Sequence, residues 1–190
     1  MSQERFHTEK LGFVRGLIER MWLNAGASRT HAERVARVVT LADLLGKHQQ
    51  GIGVLEVLYP GWVAGEIDFE AEPEVIDEGP AWTLVEGNRS TGFNTITVAM
   101  EKTIEKAASS GVAVGLCRNH WDAGCFGGYS LLAEQQGMVG IATNTTPPMS
   151  TPIGGITNAM SAAPLSLAAP TPAGAPPVLV DVKTSETYEG

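Results

Sequence analysis

The chain has 190 residues, 43% of them hydrophobic and 18% charged, with a formal net charge of −8. That composition suits a packed globular protein of one large domain or slightly more, and it excludes a disordered chain. The negative charge argues against nucleic acid and acidic membrane surfaces as partners, and no apolar run approaches the roughly 20 residues that span a bilayer.

Residues 5–24 place Phe6, Phe13, Val14, Leu17, Ile18, Met21 and Trp22 at helical spacing. Gly26 stops this helix. Ser28 caps the next, over residues 29–45, with Val35, Val38, Val39 and Ala42 facing inward. A third helix is expected from Gly53 to Val63, shortened or kinked by Pro60. The acidic stretch 66–80 contains Pro73 and Pro80 and reads as a connection. Residues 82–87 form a short strand and 92–110 a helix. VAVGLC at 112–117 is a buried strand, short and apolar between Gly111 and a polar loop. Residues 127–137 are helical and closed by Gly137, and MVGIATN at 138–144 is a second buried strand. Strand, helix, strand predicts a parallel, right-handed crossover. Residues 145–177 are rich in Pro, Thr, Ala and Gly, with a strand at Leu165–Ala169, and VLVDV at 178–182 is a further strand.

The fold class is therefore α/β. A helical segment, residues 1–68, precedes residues 69–190, which carry a mixed or parallel sheet with crossover helices. Nothing after the final strand covers it, so the α/β part reads as partial.

In α/β folds, sites gather at the carboxyl ends of strands. Three loops qualify. RNHWDAGCFGG (118–128) offers His120 and Asp122 as acid/base groups, Gly124 for close backbone approach, and unpaired N–H groups at the following helix start for an anion. TNTTPP (143–148) offers hydroxyls. DVKTSE (181–186) offers a carboxylate, an ammonium and two hydroxyls. Each has a plainer explanation: a loop hydrogen bond for His120, a turn or cap for Asp122, solvation for Lys183. His7 and His31 read as exposed helix residues, and His48 as a cation capping a helix C-terminus. No metal site is expected, because the spacing of His48 and His120 gives none special support. Neither GxGxxG nor GxxxxGK[ST] occurs, which counts against an ordinary Rossmann site and a P-loop. Cys117 and Cys125 are too few for a disulfide framework and read as buried, reduced thiols. MSQERFHTEK lacks an apolar signal core, so a cytoplasmic location is the expectation.

The segments ADLLGKHQQGI, AMEKTIEKAASSGVAV, GYSLLAEQQGMVGIATN, PIGG, APLSLAAP and VLVDVKTS, in this order, resemble the malate/L-lactate dehydrogenase family. That family includes ureidoglycolate dehydrogenase, diketogulonate reductase and piperideine-carboxylate reductase. The resemblance implies a non-Rossmann fold, NAD or NADP as cofactor, a small-molecule 2-hydroxy/2-oxo acid or cyclic imine as substrate, and a homodimer. It also implies a longer chain, relative to which this one is incomplete. By the resemblance, Thr146, Asp181, Val182, Lys183, Thr184, Ser185 and Gly124 contact the cofactor. The family's Ser-His-Gly falls on Gln49, Gln50 and Gly51, and its carboxylate-binding arginine on Val54. Its second histidine falls on Asp122 when counted back from Gly137 without gaps, two residues after His120. Its Gly-Thr-Asn-Pro becomes Ser161 to Pro164. Glutamine cannot exchange a proton near neutrality as imidazole does, and valine cannot clamp a carboxylate. His120 or Asp122 is then expected to handle the proton, and His48 or Gln50 to orient the substrate carbonyl. The competing expectation is a catalytically impaired relative, a pseudoenzyme acting as scaffold or binding subunit.

Overall fold

The computed structural model describes residues 9–184. Three helices come first: α1 (Leu11–Asn24), α2 (Arg29–Leu44) and α3 (Val54–Val63). Ser28 caps α2 as expected, its Oγ accepting the His31 N–H at 3.1 Å. The inward stripe of α2, with Val35, Val38 and Val39, packs with Ile18 and Trp22 of α1, all of them buried. α3 runs through Pro60, which lies late enough in this ten-residue helix for it to close at Val63.

A first sheet has the order β1 (Glu74–Gly79), β2 (Trp82–Glu86), β3 (Val114–Arg118). β1 pairs antiparallel with β2, and β2 pairs parallel with β3 across helix α4 (Gly92–Ser110). A second sheet, wholly antiparallel, has the order β4 (Gly140–Thr143), β5 (Pro164–Ala169), β6 (Val178–Lys183). Helix α5 (Gly127–Glu134) packs on it. α2 ties the halves together: Arg34 reaches Asn94 and Glu101 on α4, and Arg37 reaches the Gly128 carbonyl and Thr97.

Four expectations are corrected. The strands at 112–117 and 138–144 are not parallel neighbours. The parallel crossover uses α4 and joins β2 to β3, whereas β4 pairs antiparallel with β5. Periodicity identifies a strand but not its partner, and β5 offered β4 an antiparallel register that α5 could cover from one side. The connection at 66–80 contains strand β1, an acidic sheet edge with an irregular register between Val75 and Asp77. Such charge and irregularity protect an edge and hide it from pattern reading. β3 and β4 are covered on one face only, leaving Val114 at 56% and Ile141 at 60% exposure. His31 is buried, with Nε2 2.7 Å from Thr91 Oγ1 on the loop that opens α4. Phe6, His7, Ser185 and Glu186 lie outside the described residues.

Candidate active site

Three segments distant in sequence converge on one carboxylate. Asp181, on β6, is nearly buried, with its side chain 7% exposed. Its Oδ2 lies 2.7 Å from Lys47 Nζ, which also donates to the Asp181 carbonyl at 2.7 Å. The same oxygen accepts the Gly127 N–H at 3.0 Å and the Cys125 thiol at 3.0 Å. Gly127 opens α5, so Asp181 is the anion at that helix start. Of the N–H groups expected to await an external anion, Gly127 N–H is met by Asp181, and those of Gly128 and Tyr129 by the Cys125 and Phe126 carbonyls. Lys47 follows the end of α2, and its backbone carbonyl accepts the Gln50 N–H at 2.9 Å. The lysine therefore anchors the 46–52 segment to β6 and α5.

The 118–127 loop meets the 46–52 segment at Gly124. This glycine has φ +59°, and a Cβ there would stand 2.7 Å from the Phe93 ring and 3.3 Å from the Gln50 carbonyl. Asp122 Oδ1 accepts the Gly124 N–H at 2.8 Å, closing a local turn. His120 Nδ1 is 2.8 Å from the Trp121 carbonyl, which can only accept, so Nδ1 carries the proton. Nε2 is then the acceptor and faces Cys117 Sγ at 3.7 Å. Burial pushes the Cys117 thiol up to about 11, so it stays protonated beside the ring. Burial, with Asp181 adding to it, pushes Cys125 up to about 12.

His120 also lines an open cavity of about 460 Å³ with Glu86, Asn88, Arg89, Asn119 and Trp121. Asn88, Arg89 and Asn119 all have positive φ, at 53°, 67° and 55°. Two loops are laced together there: Gly87 N–H bonds the Arg118 carbonyl, and Arg89 N–H the Asn119 carbonyl. Hydrogen bonds from Arg118 and Asn119 hold the Glu86 carboxyl below the usual carboxylate range.

His48 is exposed, with Nδ1 3.5 Å from Asp43 Oδ1. His48 and His120 thus have different partners. Val54, where the resemblance implies an arginine, is a core residue at 2% exposure. Thr146 and Thr184 grip one stretch. Thr146 Oγ1 accepts the Ala162 N–H at 2.9 Å and lies 3.2 Å from Ser161 Oγ, and Thr184 Oγ1 donates to the Ala163 carbonyl at 2.6 Å. Val182 is half exposed, on the opposite face of β6 from Asp181. Lys183 is exposed at the end of the strand.

Asp181 Oδ2, Thr146 Oγ1 and Thr184 Oγ1 each bond to the chain itself, with Asp181 set at the α5 start. They shape the segment that the resemblance assigns to a cofactor. Among the described residues, no group of three or more His, Cys, Asp or Glu could hold a metal, and no helix is long and apolar enough to cross a membrane. Sequence reading missed Lys47 and Cys125 as partners of Asp181. An apolar strand interrupted by one Asp was the available signal, but no local pattern announces a contact 134 residues away.

The family model for malate/L-lactate dehydrogenase matches residues 11–190. This chain belongs to the malate/L-lactate dehydrogenase family. It is 32% identical to the malate dehydrogenase of Pyrococcus horikoshii over 168 residues, covering 88% of this chain and 46% of that protein. It is 30% identical to the NAD(+) ureidoglycolate dehydrogenase of Escherichia coli, covering 81% and 44%. The structure of the P. horikoshii malate dehydrogenase superposes with a TM-score of 0.85 at 29% identity, over 95% of this chain and 53% of that one. The sulfolactate dehydrogenase of Methanocaldococcus jannaschii does so at 0.85 and 29%, over 92% and 50%. The chain spans about half the length of the curated relatives it matches. The family's architecture here is α/β, with five helices and two three-stranded sheets among the described residues.

Proposed function

We propose that this malate/L-lactate dehydrogenase family chain forms part of an NAD- or NADP-dependent oxidoreductase. Its substrate is a small 2-hydroxy/2-oxo acid or cyclic imine, and its assembly a homodimer. The observation that carries the reading is the convergence on Asp181. It joins the 46–52 segment, the α5 start and β6, three of the segments through which the family resemblance runs. The relatives named above are all dehydrogenases, which lends the scaffold alternative no support.

When bound, the nicotinamide supplies or accepts hydride. The chain's own part is positioning and proton handling. Lys47, Asp181, Thr146 and Thr184 hold the segment ends in register. Nε2 is the nitrogen of His120 open to proton exchange with substrate, because Nδ1 is committed to the Trp121 carbonyl. The weak thiol contact on Nε2 yields to a better partner. The cavity beside His120 has room for a small acid. Val54 cannot clamp a carboxylate; the cation on that wall is Arg89, whose Nε and Nη2 already donate to the Glu66 and Gly65 carbonyls. Gln50, Asp122 and His48 shape loops in this reading, with Asp122 closing its turn and His48 set against Asp43.

Titration with NADH and NADPH, followed by their fluorescence, tests the proposal. Saturable binding of one of them, and its oxidation by a 2-oxo acid that His120→Gln suppresses, is the expected result. No binding of either, and no oxidation with a panel of 2-oxo acids and cyclic imines, refutes it.

A further inference from the structure

Strand β3 ends at Arg118, and the chain then turns at Asn119, whose φ is 55°. Asparagine tolerates that left-handed conformation better than most residues. Its carbonyl accepts the Arg89 N–H at 2.8 Å and its Nδ2 donates to Glu86 Oε2 at 3.0 Å, so the turn is held from two sides. Had the strand run on, His120 would stand about 10 Å from Cys117. With the turn, His120 Nε2 lies 3.7 Å from Cys117 Sγ. Nδ1, 2.8 Å from the Trp121 carbonyl, carries the ring proton, so the Nε2 lone pair faces the sulfur. A histidine that ligates a metal is oriented in this way: one nitrogen donates to a carbonyl and the other is left bare.

We propose that Cys117 and His120 form a zinc site, with Sγ and Nε2 as its two protein ligands. Zinc bonds sulfur at about 2.3 Å and imidazole nitrogen at about 2.0–2.1 Å, and a tetrahedral angle then sets the two donors about 3.6 Å apart. The pair already stands at 3.7 Å. Zinc takes the place of the thiol proton, which passes to solvent, and no other covalent bond changes. A thiolate and an imidazole suit zinc, whereas magnesium and calcium take oxygen ligands. His120 also lines the open cavity of about 460 Å³, so the remaining coordination positions belong to water. Two protein ligands make an exchangeable site; a closed structural site has four. The other thiol offers no such place. Cys125 Sγ donates to Asp181 Oδ2, and the Lys47 ammonium, 2.7 Å from that oxygen, opposes a second cation. Zinc on Nε2 withholds the nitrogen that the proposed reaction uses, so occupancy inhibits. That consequence alone rests on the proposed function.

The 190-residue chain, without an affinity tag, is titrated with Zn2+ against a chromogenic chelator, and with Co2+ as a spectroscopic substitute. The expected result is one tight equivalent of zinc per chain and, with Co2+, a thiolate-to-metal charge-transfer band. Cys117→Ser and His120→Gln should each weaken zinc binding by about 100-fold or more, since loss of an outer-shell partner already costs about 10–100-fold. Cys117→Ser should also abolish the band. Cys117→His keeps a donor, so it should bind zinc more tightly than Cys117→Ser while showing no band. Cys125→Ser, and His48→Gln at the exposed His48–Asp43 pair, should leave the affinity unchanged. A folded native chain with no saturable zinc uptake, or with no charge-transfer band, overturns the inference. So does uptake that persists in Cys117→Ser or that follows Cys125 or His48 instead. None of these readouts involves turnover or a nicotinamide. Zinc binding by a chain that binds neither NADH nor NADPH therefore refutes only the proposed function.

Discussion

Replacing Lys47 with Met should destabilise the chain by about 2–3 kcal/mol, and this magnitude follows from where the pair sits. Breaking one partner of a fully buried ion pair costs about 3–5 kcal/mol, and of an exposed pair at most about 1. Asp181 is 7% exposed and Lys47 29%, which places the pair nearer the buried limit. At an effective dielectric of about 20, charges 2.7 Å apart attract by roughly 6 kcal/mol, most of it offset by desolvation. Removing the ammonium leaves the desolvation in place, with only the Gly127 N–H and the Cys125 thiol to oppose it. Asp181→Asn removes the charge but keeps an acceptor for Gly127, so it should cost less than Lys47→Met. In the double variant the penalties should not add, and the coupling should exceed about 1 kcal/mol. Urea unfolding of all four chains, with m unchanged, measures this. Raising the salt to about 1 M should remove little of the coupling, because a partly buried pair is poorly screened. Additive single costs, within about 0.5 kcal/mol, would refute the clasp as an energetic unit.

His31 gives a pH dependence of definite sign. Burial lowers its pKa from 6.5 to about 4, against the opposing pull of Glu72. The unfolded chain therefore takes up the proton first. Stability from this group is full above about 6.5, falls as pH drops, and is lost by about 4, for a total on the order of 3 kcal/mol. Denaturant melts between pH 4 and 7 should show that slope, and His31→Gln should flatten it. Gly124→Ala should cost about 1–3 kcal/mol, because a Cβ at φ +59° meets the Phe93 ring at 2.7 Å; an unchanged urea midpoint would contradict the geometry. Neither native thiol should react with an aromatic disulfide at pH 8, since Cys117 is raised to about 11 and Cys125 to about 12. Both should react at once in urea, and rapid labelling of folded protein would count against their burial.

The helices were legible because each carries its own evidence. The apolar stripe of α2 and its Ser28 cap lie within one window of the chain, and both are found where the pattern puts them. The strands at 82–86, 114–118, 140–143, 164–169 and 178–183 were legible for the same reason. β1 was not, because its irregular pairing and its acids break the alternation by which strands are read. The loops at 118–128 and 181–186 could be named as places for chemistry. What each residue does there could not. Asp122 closes a turn, Thr146 and Thr184 brace Ser161–Ala163, and His31, read as an exposed helix position, is buried against Thr91.

By itself the sequence determined the periods, caps and turns, and through its segment order the family, because these are properties of neighbours along the chain. Only the tertiary structure decided that β4 turns to β5 and not to β3, that Lys47 meets Asp181 across 134 residues, and that one face of the second sheet is closed while the other stands open. Those outcomes depend on which distant surfaces exclude water together and which buried charge finds a counter-charge, and neither quantity is written in any local stretch.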